Sequence, residues 1–406
     1  MSNQIPVVFL GANYYTGLGG IRTLGRRGVR VYALDYNFSN AYGLSSRYVY
    51  RRVLCPNINT DEEALVQFLV DFAASFPQKP VLIPSHDAYV LMVSRHSDIL
   101  AQHYLFHQLP AGLLEQIIDK RGLYELAQKY QAKMPQTFFP ASPEDDEEVA
   151  KNITYPCLIK PTYSHLFVKV FHKKCFVAEN MKELKDALSL ARNFNLEVMV
   201  QQLIPGFDDH IYLLEAFIDQ NGNATHTMTA QKLRQYPANF GVSTFTRQYP
   251  VPEIVGPGID FLQKIGYRGY CEVEYKKHAE TGEYYLLEIN ARLSSLNVLF
   301  DACEMEFTYM IYRDLIGQPL APKHLNNYLN LAFYHFYEDF FSVRGYRRSK
   351  QLTWKEIILP WLKLKKVYAI WAWDDPLPAF HFVKLMLGKT LSSKLHKLGS
   401  LLKTNK

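Results

Sequence analysis

The chain has 406 residues, of which 48% are hydrophobic, 21% charged and 14% aromatic, a length for two or three domains and a composition that excludes disorder. No apolar run reaches the roughly 18–20 residues of a membrane span, and five cysteines scattered singly (Cys55, Cys157, Cys175, Cys271, Cys303) exclude a disulfide framework or a zinc cluster. Charge is uneven: residues 321–406 hold 15 Lys and Arg against 5 Asp and Glu on a chain whose total is only +6, so a basic tail region follows a mildly acidic body.

The opening MSNQIPVVFLGANYY lacks the basic n-region and long apolar core of a secretory signal. With the unpaired thiols, this sets the expected location as the cytoplasm. Residues 6–12 (PVVFLGA) read as a short buried strand, followed by a turn and helix carrying Gly17, Gly19 and Gly20 and ending at Gly28. Residues 29–35 (VRVYALD) form a second strand, and Val81–Pro84 a later one that closes on Ser85, His86 and Asp87. Strand, helix and strand at this spacing predict an α/β unit with an open parallel sheet and right-handed crossovers. The glycines imitate a dinucleotide-binding turn with Asp35 beyond it. The G-x-G-x-x-G spacing fails, however, because Arg22 stands in the third position after Gly17 and Gly19. The turn is therefore read as structural, and a dinucleotide-dependent oxidoreductase is the disfavoured alternative. Asn13, Arg22, His86 and Asp87 lie at strand ends, where an open α/β sheet binds ligands, and are candidate substrate contacts.

From residue 113 the texture changes. Residues 113–131 show helical periodicity and include Asp119 and Lys120. A short strand, an acidic linker from Pro143 to Glu148 and the strand at 157–160 (CLIK) follow. Next come a helix over 181–194 and a strand at 197–202 running into Ile204, Pro205 and Gly206. Strands at 211–219, 225–229, 269–276 and 283–290 complete an α+β region of mostly antiparallel sheet. The expected domains are 1–112, 113–320 (two lobes, 113–200 and 201–320) and a basic, mainly helical region at 321–406.

The strongest chemical signal is the pair of runs Cys271-Glu272-Val273-Glu274-Tyr275 and Glu288-Ile289-Asn290-Ala291-Arg292 on either side of a polar turn. Residues two apart in a strand share a face, so Glu272 and Glu274 point together, as do Glu288, Asn290 and Arg292. A hairpin lays the two polar stripes side by side, with Val273, Leu287 and Ile289 packed behind. Hard oxygen ligands on adjacent strands suit Mg2+, which holds substrate phosphates at the same time. Arg292 on that face suits a phosphoryl group or a carboxylate. Either Glu272 or Glu274 supplies the first metal oxygen, with Glu274 preferred from its distance to the turn. Lys160, ending an apolar strand before Pro161, and Lys120 would each alone be an ordinary surface lysine.

The order Asp119-Lys120, Cys157-Leu158-Ile159-Lys160-Pro161, Gln201-Gln202-Leu203-Ile204-Pro205-Gly206 and Glu288-Ile289-Asn290-Ala291-Arg292 resembles the ATP-grasp superfamily. Within it, the chain is similar to the carboxylate–amine (amino-acid) ligases akin to D-aspartate ligase and to the carbamoyl-phosphate-synthase-like group. The resemblance spans residues 5–320 and implies a pre-ATP-grasp α/β domain followed by a two-lobed α+β ATP-grasp domain. It implies ATP and Mg2+ as cofactors, with Mn2+ as a substitute for Mg2+. A small-molecule carboxylate and an amine would be joined through an acyl phosphate, with ADP and phosphate released. Lys120 and Lys160 would contact phosphates, Gln201, Gln202, Leu203 and Ile204 would form the hinge beside adenine, and Asp209 would bind the ribose. Glu274, Glu288 and Asn290 would hold the metal, and Arg292 would stabilise the acyl-phosphate and tetrahedral states. Lys232 and Arg234, between hinge and hairpin, are further catalytic candidates that would close over the acyl phosphate or bind a substrate carboxylate; a basic loop in solvent is the alternative. Two departures favour a catalytically silent ATP-binding regulator as the rival function. Gln202 stands where a carboxylate usually begins the hinge, and residues 162–168 (TYSHLFV) contain no glycine.

In the basic region, Leu387, Leu391, Leu395, Leu398 and Leu402 recur at helical steps, with Lys389, Lys394, Lys397 and Lys403 between them. All four tryptophans (Trp354, Trp361, Trp371, Trp373) lie just upstream. The pattern suits a helix packing its leucines on the body, or a basic amphipathic helix lying on the inner face of an anionic membrane. Without a recognition motif, nucleic acid is not an expected partner.

Overall fold

The computed structural model describes residues 4–161, 167, 170–171 and 173–389. Most of the 162–168 run and the leucines from Leu391 onward lie outside the described residues.

Strands β1 (Val7–Leu10), β2 (Val31–Asp35), β3 (Val49–Leu54) and β4 (Val81–Pro84) form a parallel sheet in the order β3-β2-β1-β4. β1 is buried on both faces, as its unbroken apolar run requires. The helix Tyr15–Arg26 follows directly, and its glycines serve packing. A Cβ on Gly17 would stand 2.2 Å from the Gly11 carbonyl oxygen, and one on Gly19 would stand 1.9 Å from Asn297 Oδ1. Asp35 closes the same turn by accepting from the Ala12 and Asn37 amides at 2.9 and 3.0 Å.

The periodic stretch after residue 113 is two helices, Leu113–Ile118 and Lys120–Lys129, rather than one. Asp119 is extended between them, and its carboxylate accepts from the Gly122 amide at 2.8 Å, restarting the helix. Lys120 thereby becomes the first helical residue and faces inward. β5 (Thr137–Phe138), β6 (Cys157–Pro161), β7 (Phe176–Ala178) and β8 (Val198–Gln202) form a small antiparallel sheet in the order β5-β8-β6-β7. The helix Met181–Asn193 packs Leu184, Leu188 and Ala191 into its core.

The largest sheet takes β9 (Ile211–Ile218), β10 (Ala224–Tyr236), β11 (Val242–Gln248), β12 (Gly269–Lys277), β13 (Tyr284–Asn290), β14 (Lys323–Leu325), β15 (Leu331–Tyr334) and β16 (Lys365–Tyr368). Its order is β13-β12-β9-β10-β11-β15-β16, with β14 beside β10. Region 321–406, expected to be mainly helical, thus contributes three strands to this sheet. The helices Phe336–Arg348 and Trp354–Lys363 and helical residues 377–389 make up much of the rest.

Arg22, a candidate substrate contact by position, has a different role. It is buried, with Nε donating to Asp375 Oδ2 at 2.9 Å and Nη1 to the Ile370 carbonyl at 2.8 Å. Asp375 also accepts from Ser46 Oγ and the Arg47 amide. This network fastens the C-terminal region to the N-terminal domain. Asp375→Ala, which strands the buried Arg22 charge, is expected to cost about 3–5 kcal/mol. Asp374→Ala, which breaks the exposed pair with Arg26, is expected to cost about 0–1 kcal/mol. Denaturant midpoints of the two variants check the contrast.

Candidate active site

The hairpin β12–β13 pairs Glu272 with Asn290, Val273 with Ile289 and Glu274 with Glu288. The alternating pattern thus puts its polar stripe on one face. Asn290 Nδ2 donates to Glu272 Oε1 at 3.0 Å and to Glu288 Oε1 at 3.2 Å. Arg292 donates to Asn290 Oδ1 at 3.0 Å and pairs with Asp87 at 2.8 Å. The two candidate carboxylates sit in different settings. Glu272 is held by Asn290 and by Ser294 Oγ at 2.6 Å, whereas Glu274 lines the cleft.

That cleft, about 460 Å³, lies between the small sheet and the large one. One wall carries Lys120, Lys160 and Lys174, and the other Lys232, Glu274, Glu288 and Asn290. Lys160 donates to Gln201 Oε1 at 2.7 Å, Lys174 to the Phe240 carbonyl at 2.7 Å and Lys120 to the Pro161 carbonyl at 2.5 Å. Among the described residues none of these three lysines has a carboxylate within ion-pair reach. Burial, with the Lys160 charge adding to it, pushes the Lys120 ammonium down to about 8. Burial likewise lowers Lys160 and Lys174. Three ammonium groups whose positive form is disfavoured by burial, facing one cavity with none in a direct ion pair, make a site for an anion.

Across the cleft Lys232 donates to Glu274 at 2.6 Å, both side chains being buried. Burial raises the Glu274 carboxyl, with Glu288 opposite adding to it, and Lys232 acts against both. Burial works against the Lys232 charge, but Glu274 more than offsets it.

Not every residue singled out in the sequence reaches the cleft. Arg234, expected beside Lys232, faces the other way: its Nε and Nη2 each donate to Asp339 at 2.8 Å, and it stacks on Phe245. The cause is an irregular stretch of β10 between Lys232 and Gln235 that breaks the two-residue alternation. Gln235 takes the place on the cleft wall. The reading of this segment as a loop in solvent is corrected with it, since Lys232 and Arg234 lie in a strand and are buried. Asp209 is half exposed, paired with His210 Nδ1 at 2.7 Å and outside the cleft wall. In the hinge, Gln201, Gln202, Leu203 and Ile204 all line the cleft. The Gln202 and Leu203 amides are, however, engaged by the carbonyls of Gln136 and Pro156 at 2.8 and 3.0 Å. Lys174 and Lys276 line the cleft without having been singled out. Lys276 continues the stripe Glu272-Glu274 by one further step of two, a signal present in the sequence.

Residues 119–303 match the family described as carbamoyl-phosphate synthase L chain, ATP binding domain. A D-aspartate ligase of Enterococcus faecium is 25% identical over 297 residues, covering 65% of this chain and 69% of that one. The N-terminal section of a carbamoyl phosphate synthase large chain from Methanopyrus kandleri is 24% identical over 168 residues, 39% of this chain and 28% of its own length. Among solved structures, the biotin carboxylase domain of Hydrogenobacter thermophilus 2-oxoglutarate carboxylase, crystallised with MgADP, ADP and bicarbonate, aligns with a TM-score of 0.62. It is 14% identical, covering 82% of this chain and 74% of that one. Staphylococcus aureus N5-carboxyaminoimidazole synthetase aligns at 0.61 and 12% identity, covering 80% of each chain. Residues 119–303 thus match an ATP-binding domain of ATP-grasp type, and the fold is that of the carboxylase and synthetase structures. The similarity places the chain with enzymes of the carboxylate–amine ligase class.

The lysine cluster makes ligand binding depend on pH in a definite direction. Free Lys120 loses its proton near pH 8, and a polyphosphate anion favours the protonated form. Affinity for such an anion is therefore expected to fall as pH climbs through 8, with proton uptake on binding in that range. Calorimetry in buffers of different ionisation enthalpy reads the proton. Lys120→Arg, charged throughout, is expected to remove the Lys120 share of the uptake.

Proposed function

We propose that the chain is an ATP- and Mg2+-dependent ligase that activates a carboxylate as an acyl phosphate and joins it to an amine, with an amino acid among its substrates. One observation carries this reading. Lysines without carboxylate partners face, across a single cleft, a hairpin presenting Glu274, Glu288 and Asn290.

In this reading Lys120, Lys160 and Lys174 neutralise the phosphates of ATP. The apolar side chains of Leu158, Met199, Leu203 and Ile204 flank adenine. With the neighbouring amides engaged, Ile204 offers the backbone N–H of the hinge. Arg292 does not line the cleft itself, but its tethers Asp87 and Asn290 do, and from there it would stabilise the negative charge of an acyl phosphate and of the tetrahedral state following it. Lys232 favours the ionised form of Glu274 against burial and would meet the transferred phosphoryl group. Asp209 stays a candidate for the ribose only through a change of rotamer at its turn.

The donor set fits a hard divalent cation. Glu274 and Glu288 stand opposite each other with Asn290 beside them, and burial together with Glu288 disfavours the Glu274 charge, which a cation would favour. Among the described residues no three His, Cys, Asp or Glu side chains gather into a preformed metal cluster. Two carboxylates and an amide match Mg2+, which completes its shell with phosphate oxygens and water. When bound there it would neutralise charge on the phosphates; Mn2+ prefers the same oxygen donors. The five cysteines are all buried free thiols, which supports a reducing compartment, the cytoplasm.

The test is ADP and phosphate release from ATP and Mg2+ with a panel of amino acids and carboxylates. Stimulated release by a carboxylate–amine pair is expected. Glu288→Gln and Asn290→Ala are expected to lower kcat by about 10²–10³-fold with circular dichroism unchanged. Lys160→Ala is expected mainly to weaken ATP binding, since a phosphate contact exists in the ground state as well. ATP binding without release by any pair would replace this reading with a silent ATP-binding regulator.

A further inference from the structure

The C-terminal region carries a surface that the ligase reading leaves without a role. More than half of the large apolar side chains exposed on the described residues fall between 336 and 387. They form two areas. Phe336, Phe340, Ile358 and Trp361 line a shallow groove between the helices Phe336–Arg348 and Trp354–Lys363. In helical residues 377–389, Leu377, Phe380, Val383 and Leu387 are exposed, with Trp373, 88% exposed, just before them.

This second area is held facing outward. Ala379, Phe382 and Leu385, on the opposite side of the helix, pack against the main core. The Phe382 ring lies 5.4 Å from Tyr42 and 5.7 Å from Tyr337. The outer residues recur at steps of three and four, and in the sequence Leu391, Leu395, Leu398 and Leu402 continue the series from Leu387.

Charge selects the partner. Each of the five acids of region 321–406 has a partner within the chain. Asp339 pairs with Arg234, Asp374 with Arg26 and Asp375 with Arg22. Glu356, exposed beside Lys355, caps its own helix at Thr353, and Glu338 is partly buried beside Tyr14 and Tyr15. Lys355, Lys363, Lys365, Lys384 and Lys389 remain exposed around the apolar side chains. Tryptophan, phenylalanine and leucine rimmed by lysines match the boundary of an anionic bilayer, where rings and leucines enter the headgroup zone and ammonium groups meet phosphates. Among the described residues no helix is long and apolar enough to cross a membrane.

We propose that the 336–389 face docks on the surface of an anionic phospholipid bilayer, lying on it rather than spanning it. Co-sedimentation of the full chain with phosphatidylcholine vesicles, and with vesicles in which phosphatidylglycerol replaces part of that lipid, tests this. Binding to the anionic vesicles alone is expected, weakening as salt is added. Changing Trp373, Leu377 and Leu387 together to Ser is expected to lower partitioning by roughly a hundredfold or more. Changing Lys363, Lys384 and Lys389 together to Gln is expected to lower it by about a hundredfold, at roughly fivefold per charge. All six positions are exposed, so unchanged melting curves are expected, and the lysine set stands by itself if the apolar set misfolds. Equal binding to both kinds of vesicle, or binding to neither, overturns the proposal. So does light scattering that shows the face burying itself in a second copy of the chain.

Discussion

The buried pair Lys232–Glu274 is the constraint around which the active cleft is built. Lys232 belongs to β10 and Glu274 to β12, and β9 runs between them, so the ammonium reaches over a strand to its partner. Removing two charges from water costs several kcal/mol per ion. Such a pair persists where strand spacing and register hold both ends in place. Here the register is held on both sides: Glu274 lies opposite Leu213 of β9 on one flank and Glu288 of β13 on the other. The carboxylates of the hairpin, the hinge-side lysines and the arginine beyond them are then arranged relative to that one fixed charge pair.

The irregularity in β10 follows from the same demand. A regular strand would carry Lys232 and Arg234 to the same side and crowd two cations against Glu274. The break in alternation separates them, sending Lys232 to the cleft and Arg234 to Asp339 on the C-terminal helix Phe336–Arg348. One strand thus lines the cleft on one face and holds the C-terminal region on the other. Gln235, brought to the cleft wall by the same break, places a neutral group where a second positive charge would otherwise stand.

How far this was legible in the sequence depends on the range of the interaction. The hairpin register is local, with a period of two across a short turn, so Glu274, Glu288 and Asn290 could be placed on one face from spacing alone. Lys120 and Lys160 acquired meaning through their order in the chain, and the fold then brings both to one wall. Arg234 could not be read correctly, because an irregular step of this kind is invisible to alternation and its partner Asp339 is over a hundred residues away. Arg22 misled for the same reason: its position at a strand end suggested a ligand, while Asp375, at the far end of the chain, claims it. The split at Asp119 was hidden by periodicity that continues through it. Its cap on Gly122 was the available clue. The strands of region 321–406 are short, three or four residues each, and take their identity from the sheet they join rather than from a pattern of their own.

The charge asymmetry of the molecule is itself a product of the fold. Sequence arithmetic records a basic region with few acids, but it does not say which acids face water. In the folded chain three of the five hold arginines of the body, Arg22, Arg26 and Arg234. Each such pair joins the C-terminal region to the N-terminal domain or to the large sheet, and each withdraws a carboxylate from among the exposed lysines. Attachment and polarity are therefore one design. The ion pairs that fasten this region on one side leave its other side cationic, beside aromatic and leucine side chains that the core did not take in.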